Sequence, residues 1–508
     1  MNFKRIIFFF FYFICLNINS QEITGKVLDS LNLDPIQFAT IITNFNSSTI
    51  TNEDGYFKVI KNSSFTDNDS IYISSIGYSS VSYAIGNHLE VDDLNILLPA
   101  KSIDLESVTV MNREKISVEE ILKNVRNNVI NIYEFGYRKK RIFRRATDMS
   151  GISIFDIKIK NSSIKEFDQA LFDSVTNSIP RKNNSYYEVI SDYHGNLTDP
   201  EIQKINIVKS LSLKNEEGEI TINAIEEKIQ PIVDLRMKPD SYFKFRSGIF
   251  PVDIEADGVN FRSIDSTNMD QLKKIEQSKK DEIKSYNESN RNITRNFTND
   301  YLKNGKKLNF EIFKSPRKFK FILEKLAYIG YEPVYVINFS PNSSSAKYKG
   351  KIYVHADDFA LIRYDYQNTK LIRDFNLLGV SFSVDDNYGT RIFKKNDSGK
   401  YDLYYFSNSY KTSFGLDRPL KIIEKNKNVR GRRKQNQLKM QLKFNGNNQT
   451  KVQYIVLSDS ISSKSEYDQI IDKEANLPTK VIEYDPNFWS DYNIIEPTQI
   501  LKEFKIEN

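Results

Sequence analysis

The sequence predicts a mainly β protein: an N-terminal β-sandwich, a short amphipathic helix, then a larger antiparallel β-rich (α+β) region. Three observations predict it. Tyr and Phe are abundant, 29 and 34 of 508 residues, and aromatic side chains suit the half-buried surface of a sheet. Short β-branched runs recur between turn residues. Leu438, Met440, Leu442 and Phe444 alternate with Lys439, Gln441 and Lys443, the pattern of a strand with one apolar and one wet face. At roughly 150 residues per domain, the length suggests about three domains. With 39% hydrophobic and 27% charged residues, the chain can bury a sizeable core. Only 19 Gly and 14 Pro oppose a disordered or collagen-like chain.

Residues 1–20 predict an export signal. Lys4 and Arg5 precede the apolar stretch Ile6–Leu16, and Asn19-Ser20 lead into Gln21. That stretch is too short for a spanning helix. No later run reaches the ~18 apolar residues one needs, so no transmembrane segment is expected after signal removal. The only cysteine, Cys15, lies inside the stretch. Tyr12-Phe13-Ile14 before it lacks the small residue of a lipidation site. With cleavage after Ser20, disulfides, thiolate chemistry and Cys-based zinc sites are excluded.

Residues 21–111 predict the sandwich. Its expected strands are Ile23–Leu28, Phe38–Thr43, Tyr56–Ile60, Ile71–Ser75, Ser79–Tyr83 and Asn95–Leu98. Asp34-Pro35, Glu53-Asp54-Gly55, Asp67-Asn68-Asp69 and Ile76-Gly77 separate them, at the spacing of an all-β sandwich. Asp54-Gly55 supplies a turn needing positive φ, and Tyr56 and Phe57 follow as core anchors.

These residues also carry a resemblance. Gly25-x-Val27-x-Asp29, Pro35, Ala39-Thr40-Ile41, Thr51-Asn52-Glu53-Asp54-Gly55-Tyr56-Phe57, Ser74, Gly77-Tyr78 and Leu105-Glu106-Ser107-Val108-Thr109-Val110 together resemble the carboxypeptidase-like regulatory domain, from Glu22 to Val110. Asn52 departs from the family, which often has Asp there. The resemblance implies a prealbumin-like β-sandwich that is no peptidase itself but an accessory, interaction or stabilising module. It also implies a Gram-negative envelope, where such domains precede TonB-dependent transporters. No plug or barrel sequence follows here.

Residues 112–137 read as a helical connector. Ser117 and Glu120 form a capping box, and Val118, Ile121, Leu122, Val125, Val129 and Ile132 recur at helical spacing. That stripe is expected to pack on the next domain. Residues 138–300 read as a β-rich region with a charged helical insertion, the polar stretch Ser266–Asn290 forming a surface helix or mobile insertion. Residues 301–508 read as an antiparallel sheet domain. Its expected strands include Val380–Val384, Leu403–Ser407 and Val452–Leu457, with turns at Asp385-Asp386-Asn387-Tyr388-Gly389 and Asn445-Gly446.

The stretch Tyr348–Arg363 is similar to outer-membrane lipoprotein-sorting proteins, which implies a half-open barrel holding lipid on a concave face. Leu438, Met440, Leu442, Ile362, Tyr364 and Tyr366 would line it, or form an ordinary core if a helix covers the sheet. An outer-membrane barrel competes. The short runs, polar outward faces and the ending Lys505-Ile506-Glu507-Asn508 oppose it. Asn487–Thr498 looks like the tail of exported proteins with the same regulatory domain. Its Trp489, the only tryptophan, is expected as a packing anchor.

Removing Lys4 and Arg5 lowers the net charge from +6 to +4. Gln21–Ile116 carries 13 acidic and 6 basic residues, or −7, so the remainder carries +11. Two basic clusters stand out: Arg138, Lys139, Lys140, Arg141, Arg144 and Arg145, and the run Lys421–Lys443 with Arg430, Arg432, Arg433 and Lys434. Solvated strand edges and loops are the ordinary reading. The alternative is a surface for an anionic ligand or partner, carried by Arg430, Arg432, Arg433, Lys434, Arg138, Lys139, Lys140 and Arg141. Export argues against nucleic acid.

The three histidines, His88, His194 and His355, are far apart. There is no His-Glu-x-x-His, Gly-x-Ser-x-Gly, Gly-x-Gly-x-x-Gly or phosphate-binding loop. No catalytic, cofactor or metal residue is predicted. Asp67 with Asp69, or Asp357 with Asp358, could ligate calcium, but Asx turns explain them equally well. The expected function is a non-enzymatic binding or scaffold protein of the cell envelope, periplasmic or peripherally attached to the outer membrane. Its partner would be an envelope protein or lipid. The alternatives are a carrier of lipid or another hydrophobic ligand, and a hydrolase built around His194 or His355.

Overall fold

The computed structural model describes residues 22–43, 48–60, 69–84, 94–103, 116–196, 199–214, 217–238, 241–248, 250–257, 269–303, 307–426, 428–431 and 433–505. The signal stretch, His88, Asp67 and Arg432 lie outside them.

The sandwich comes first. Its strands are β1 (Glu22–Asp29), β2 (Thr40–Thr43), β3 (Ser48–Ile50), β4 (Tyr56–Ile60), β5 (Ser70–Ser74), β6 (Val81–Ala84) and β7 (Leu94–Leu98). One sheet has the order β4-β1-β7, the other β3-β2-β5-β6. Alternation along β1 turns Ile23, Gly25 and Val27 inward, onto a core with Ile41, Phe57, Val59, Ile71 and Ile73. Gly25 is needed there: a Cβ would stand 2.7 Å from Leu94 O and 2.8 Å from the Phe57 ring. Gly55 has φ +80°, as its turn requires. Six strands lie where the sequence places them, within about two residues; β3 was not expected.

β8 (Ser102–Ile103) leaves the sandwich, and the capped helix follows. Ser117 Oγ accepts the Glu120 N–H at 3.2 Å at the start of α1 (Val118–Asn127). With α2 (Val129–Ile132) it buries Ile121, Leu122, Val125 and Val129 in the main core, as the helical spacing predicts.

The remaining chain builds one large sheet and a separate two-stranded ladder, Leu302–Lys303 with Lys307–Leu308. Its elements are β9 (Arg138–Ser162), α3 (Gln169–Ser178), β10 (Lys182–Gly195), β11 (Gln203–Lys214), α4 (Glu217–Arg236), β12 (Ser241–Ser247), β13 (Phe250–Asp257), α5 (Met269–Asn299), β14 (Leu302–Lys303), β15 (Lys307–Leu308), α6 (Glu311–Lys314), β16 (Phe319–Ile329), β17 (Glu332–Pro341), β18 (Tyr348–His355), β19 (Leu361–Asn368), β20 (Arg373–Leu377), β21 (Val380–Lys395), β22 (Tyr401–Asn426), β23 (Lys434–Ile461), α7 (Lys464–Gln469), β24 (Thr479–Val481) and α8 (Gln499–Lys502). The strand order is β24-β11-β10-β9-β23-β22-β21-β19-β18-β17-β16-β8. β12 pairs with β22 and β13, and β20 with β21. Because β9 pairs with β23, the boundary expected at residue 300 falls inside this sheet.

Two expected turns are corrected. Asn445-Gly446 lies within β23, where the register against β9 shifts. Asp385–Gly389 lies within β21, where the register against β22 shifts beside Asp385. Both are bulges in long strands. The same small and Asx residues that make turns also absorb an extra residue in a ladder. At Gly389 a Cβ would meet Ser407 O at 2.2 Å, so the glycine marks close backbone approach.

Both faces of the central sheet are covered. Successive side chains point to opposite faces. Tyr405 meets Phe38 of the sandwich, ring centroids 5.0 Å apart. Phe406 meets Phe297 of α5 at 5.6 Å. Phe297 also stacks on Tyr454 at 4.1 Å. The insertion expected on the surface is thus longer than anticipated and half interior: α5 buries Asn287, Asn290, Thr294, Phe297 and Thr298. The carrier residues fall into two covered cores. Leu438, Met440 and Leu442 pack with Leu171 and Phe172 of α3 and Ile229 and Val233 of α4. Tyr364 lies 4.6 Å from the Phe310 ring.

The C-terminal tail pins the sandwich to the sheet. Ile60 N donates to Asn493 Oδ1 at 2.6 Å, and Asn52 Nδ2 reaches the carbonyls of Glu496 and Pro497. Trp489 is completely buried, edge-on to Phe143 and donating to Glu188 Oε2 at 2.5 Å. Trp489→Ala should therefore cost about 3–5 kcal/mol, read by urea denaturation. In the native protein Trp489 emission should be blue-shifted and resist acrylamide. Ready quenching before unfolding would contradict this seat.

Candidate partner-binding surface

The first basic cluster is interior, which corrects its expected surface role. β9 lies between β10 and β23 and most of Arg138–Arg145 is buried, so the buried cations must be paired. Arg138 is 2% exposed and binds Asp459 at 2.9 Å and Asp397 at 2.6 Å. Lys140 is buried against Asp402, which also accepts the Tyr301 hydroxyl at 3.2 Å. Arg144 donates to Asn290 of α5 and stacks over Tyr187. Arg145 meets Glu188 at 2.5 Å, on the Trp489 side. Arg141 is half-exposed and grips Asp192 with two bonds of 2.7 and 2.9 Å. Lys139 alone of this run is exposed.

Burial pushes the Asp459 carboxyl up despite Lys140 and Arg138. Burial also raises Glu134, but the Gly136 N–H, Asn396 and Arg138 outweigh it and hold the carboxyl low.

The second cluster is exposed. Arg430, Arg433 and Lys434 stand in solvent where β22 turns into β23. Strand pairing adds charges there. Lys421 lies directly opposite Lys439 on one side and Arg246 on the other, and Lys425 lies opposite Lys434. Among the described residues no carboxylate forms an ion pair with any of these cations. Partial desolvation, then the charges of Lys439, Lys434 and Arg246, push the Lys421 ammonium down. Arg246 was missed because only the β12–β22 register brings it there.

The two clusters do not meet. Arg138 faces Ile461, while Ser162 faces Leu438. They occupy opposite ends of the 25-residue β9, about 80 Å of strand at ~3.3 Å per residue.

Two cavities lie where the sandwich meets the sheet. One of ≈ 840 Å³ is lined by Phe38 and Glu53 of the sandwich and by Tyr353, Arg363, Tyr366 and Lys451. Lys451 bridges Glu53 at 2.7 Å across the junction. The other, ≈ 570 Å³, is lined by Ile42, Ser48, Lys394, Asp402, Tyr404 and Asp459. Lys394 sits 3.4 Å above the Tyr404 ring. Burial pushes its ammonium down to about 7, while the ring's π-face favours the charged form.

Neither described histidine lines these cavities. His355 Nδ1 accepts the Asp358 N–H at 3.1 Å and is 3.7 Å from the Asp358 carboxylate. His194 is buried at the end of β10, and burial lowers its imidazole from the usual 6.5. Asp358 binds Lys395 at 2.7 Å. Among the described residues no three His, Cys, Asp or Glu side chains are grouped to hold a metal ion. No helix there is long and apolar enough to cross a membrane.

Residues 23–110 match the family described as CarboxypepD_reg-like domain. The match spans the sandwich, a carboxypeptidase-like regulatory domain. No curated protein matches the chain.

Asp402→Leu should destabilise by roughly 3–5 kcal/mol, because Lys140 is left charged and buried. Adding Lys140→Met should recover most of that loss; additive losses in urea melts would refute the coupling. His194 favours its neutral form when folded. Its contribution is complete above about 6.5 and lost as the pH falls through the lower folded value. Urea midpoints should fall from pH 7 to pH 5, and His194→Gln should flatten that slope. Parallel slopes would contradict the assignment.

Proposed function

We propose that this chain, with its carboxypeptidase-like regulatory domain clamped to a long sheet, is a non-enzymatic binding or scaffold protein of the cell envelope. It is exported by its N-terminal signal and works in the periplasm or peripherally on the outer membrane. The observation that supports this most is the exposed cation group of Arg246, Lys421, Lys439, Arg430, Arg433 and Lys434. Like charges directly opposite one another across strands destabilise a sheet. A partner that supplies negative charge relieves that cost. The regulatory domain, held by Phe38, Glu53 and the 493–497 tail, stiffens the other end.

The carrier reading has less support, because Leu438, Met440 and Leu442 pack under helices and Tyr364 packs against Phe310.

Envelope fractionation tests the proposal. The protein should be found with the envelope and be released by about 1 M salt, where the screening length is ~3 Å. Arg433→Glu with Lys434→Glu should release it at low salt. Native mass spectrometry of the purified protein should show no stoichiometric lipid. A lipid that survives purification would favour the carrier instead, and a cytoplasmic protein would overturn the reading.

A further inference from the structure

We propose that the cleft where the sandwich meets the sheet binds a short oligosaccharide. The site is separate from the exposed cations: Lys451 lies about 55 Å of strand from Lys434 along β23 at ~3.3 Å per residue. It does not rest on the envelope reading above.

Strand register builds the floor of the cleft. Lys349, Gln367, Tyr388, Ser409 and Lys451 stand opposite one another across β18, β19, β21, β22 and β23. Two residues along each strand, and so on the same face, comes the row Lys351, Asp365, Thr390, Ser407 and Gln453. Two further on, Tyr353, Arg363, Ile392, Tyr405 and Ile455 form a third row. The sandwich sits on this third row. Phe38 meets the Tyr405 ring at 5.0 Å, and the Arg363 guanidinium lies 5.6 Å from the Phe38 ring centre. Glu53 reaches the other two rows, accepting from Gln453 at 3.2 Å and bridging Lys451 at 2.7 Å. Most of those two rows lines the ≈ 840 Å³ cavity, with Gln37, Phe38 and Glu53 as its wall.

The wall carries backbone strain. Phe38 has φ +58°, which costs a bulky residue free energy. Such outliers cluster at ligand sites.

The chemistry of the lining selects the ligand. Three of its four cations are already held by carboxylates: Arg363 by Asp365 at 2.9 Å, Lys451 by Glu53 and Lys351 by Glu324 at 2.8 Å. A phosphate ligand would find little free positive charge. Each strand of the floor has a neighbour on both sides, so no edge is open to an extended peptide. Hydroxyl, amide and phenol groups are left. Among the described residues the side chains of Ser340, Gln367 and Tyr388 have no hydrogen-bond partner, and Tyr388 is 45% exposed. A sugar matches this set. Its hydroxyls donate and accept, as amides and hydroxyls do, and its C–H face packs on an aromatic ring. The volume falls within the roughly 300–1,000 Å³ of small-ligand sites.

A printed array of short neutral, N-acetylated and uronic-acid oligosaccharides tests this with the full mature chain. Calorimetry with the best binder follows. The wild type should bind at least one class. Tyr388→Ala should weaken that binding about tenfold, and Tyr388→Phe should keep most of it. Gln367→Ala should weaken it severalfold. All three should melt like wild type, since both side chains are exposed and unbonded. Arg433→Glu with Lys434→Glu should bind sugar unchanged. An array with no bound sugar overturns the proposal. So does a sugar that Tyr388→Ala and Gln367→Ala bind as well as wild type, which would place it elsewhere. Sugar binding by a protein found in the cytoplasm would sink the envelope reading and leave this site standing.

Discussion

Everything in the large sheet depends on how β9 is neutralised. The strand carries six cations between Arg138 and Arg145, and it lies between β10 and β23 with that first stretch mostly buried. A buried charge without a partner is more costly than almost any packing defect. Each buried member therefore recruits a group from a different part of the chain. Asp459 comes from β23, Asp402 from β22, Glu188 from β10 and Asn290 from α5. These pairs fix the order in which the elements stand, because another neighbour for β9 would leave cations unmatched. The sandwich is then held by a second set of polar contacts, from Lys451 to Glu53 and from Asn52 to the tail.

What the sequence could reveal follows from the range of each signal. The Asp54-Gly55 turn, the Ser117 cap and the alternation from Leu438 to Phe444 are local, and each marks its element correctly. Trp489 is the anchor expected of it. The half-buried α5 was obscured because its inward stripe is Asn287, Asn290, Thr294 and Thr298 rather than aliphatic. Such a stripe is stable only because Asn287 bonds Ala475 O and Asn290 meets Arg144, partners that no local window contains. Asn445-Gly446 and Asp385–Gly389 show the same limit. Turn chemistry signals a backbone irregularity, and the register of the neighbouring strand decides whether that is a reversal or a bulge.

The candidate surface was legible by half. Two runs of similar basicity have opposite fates, one sealed in ion pairs and one in solvent. Composition cannot tell a central strand from a hairpin end. Arg430, Arg433 and Lys434 could be read from their run, but Arg246 joins them only through strand pairing.

The β9–β23 ladder also sets the timing of folding. β10 follows β9 closely and pairs with one edge of it, but β9 ends at Ser162 and the partner for its other edge begins only at Lys434, so that edge is synthesised long before it can be paired. Pairings this distant in sequence are slow, and strands left waiting for them are prone to aggregate. The cations of β9 work as gatekeepers during that interval, since charges on an open strand edge discourage edge-to-edge association. The charges that must be neutralised in the finished protein are the same ones that keep the nascent strand in solution.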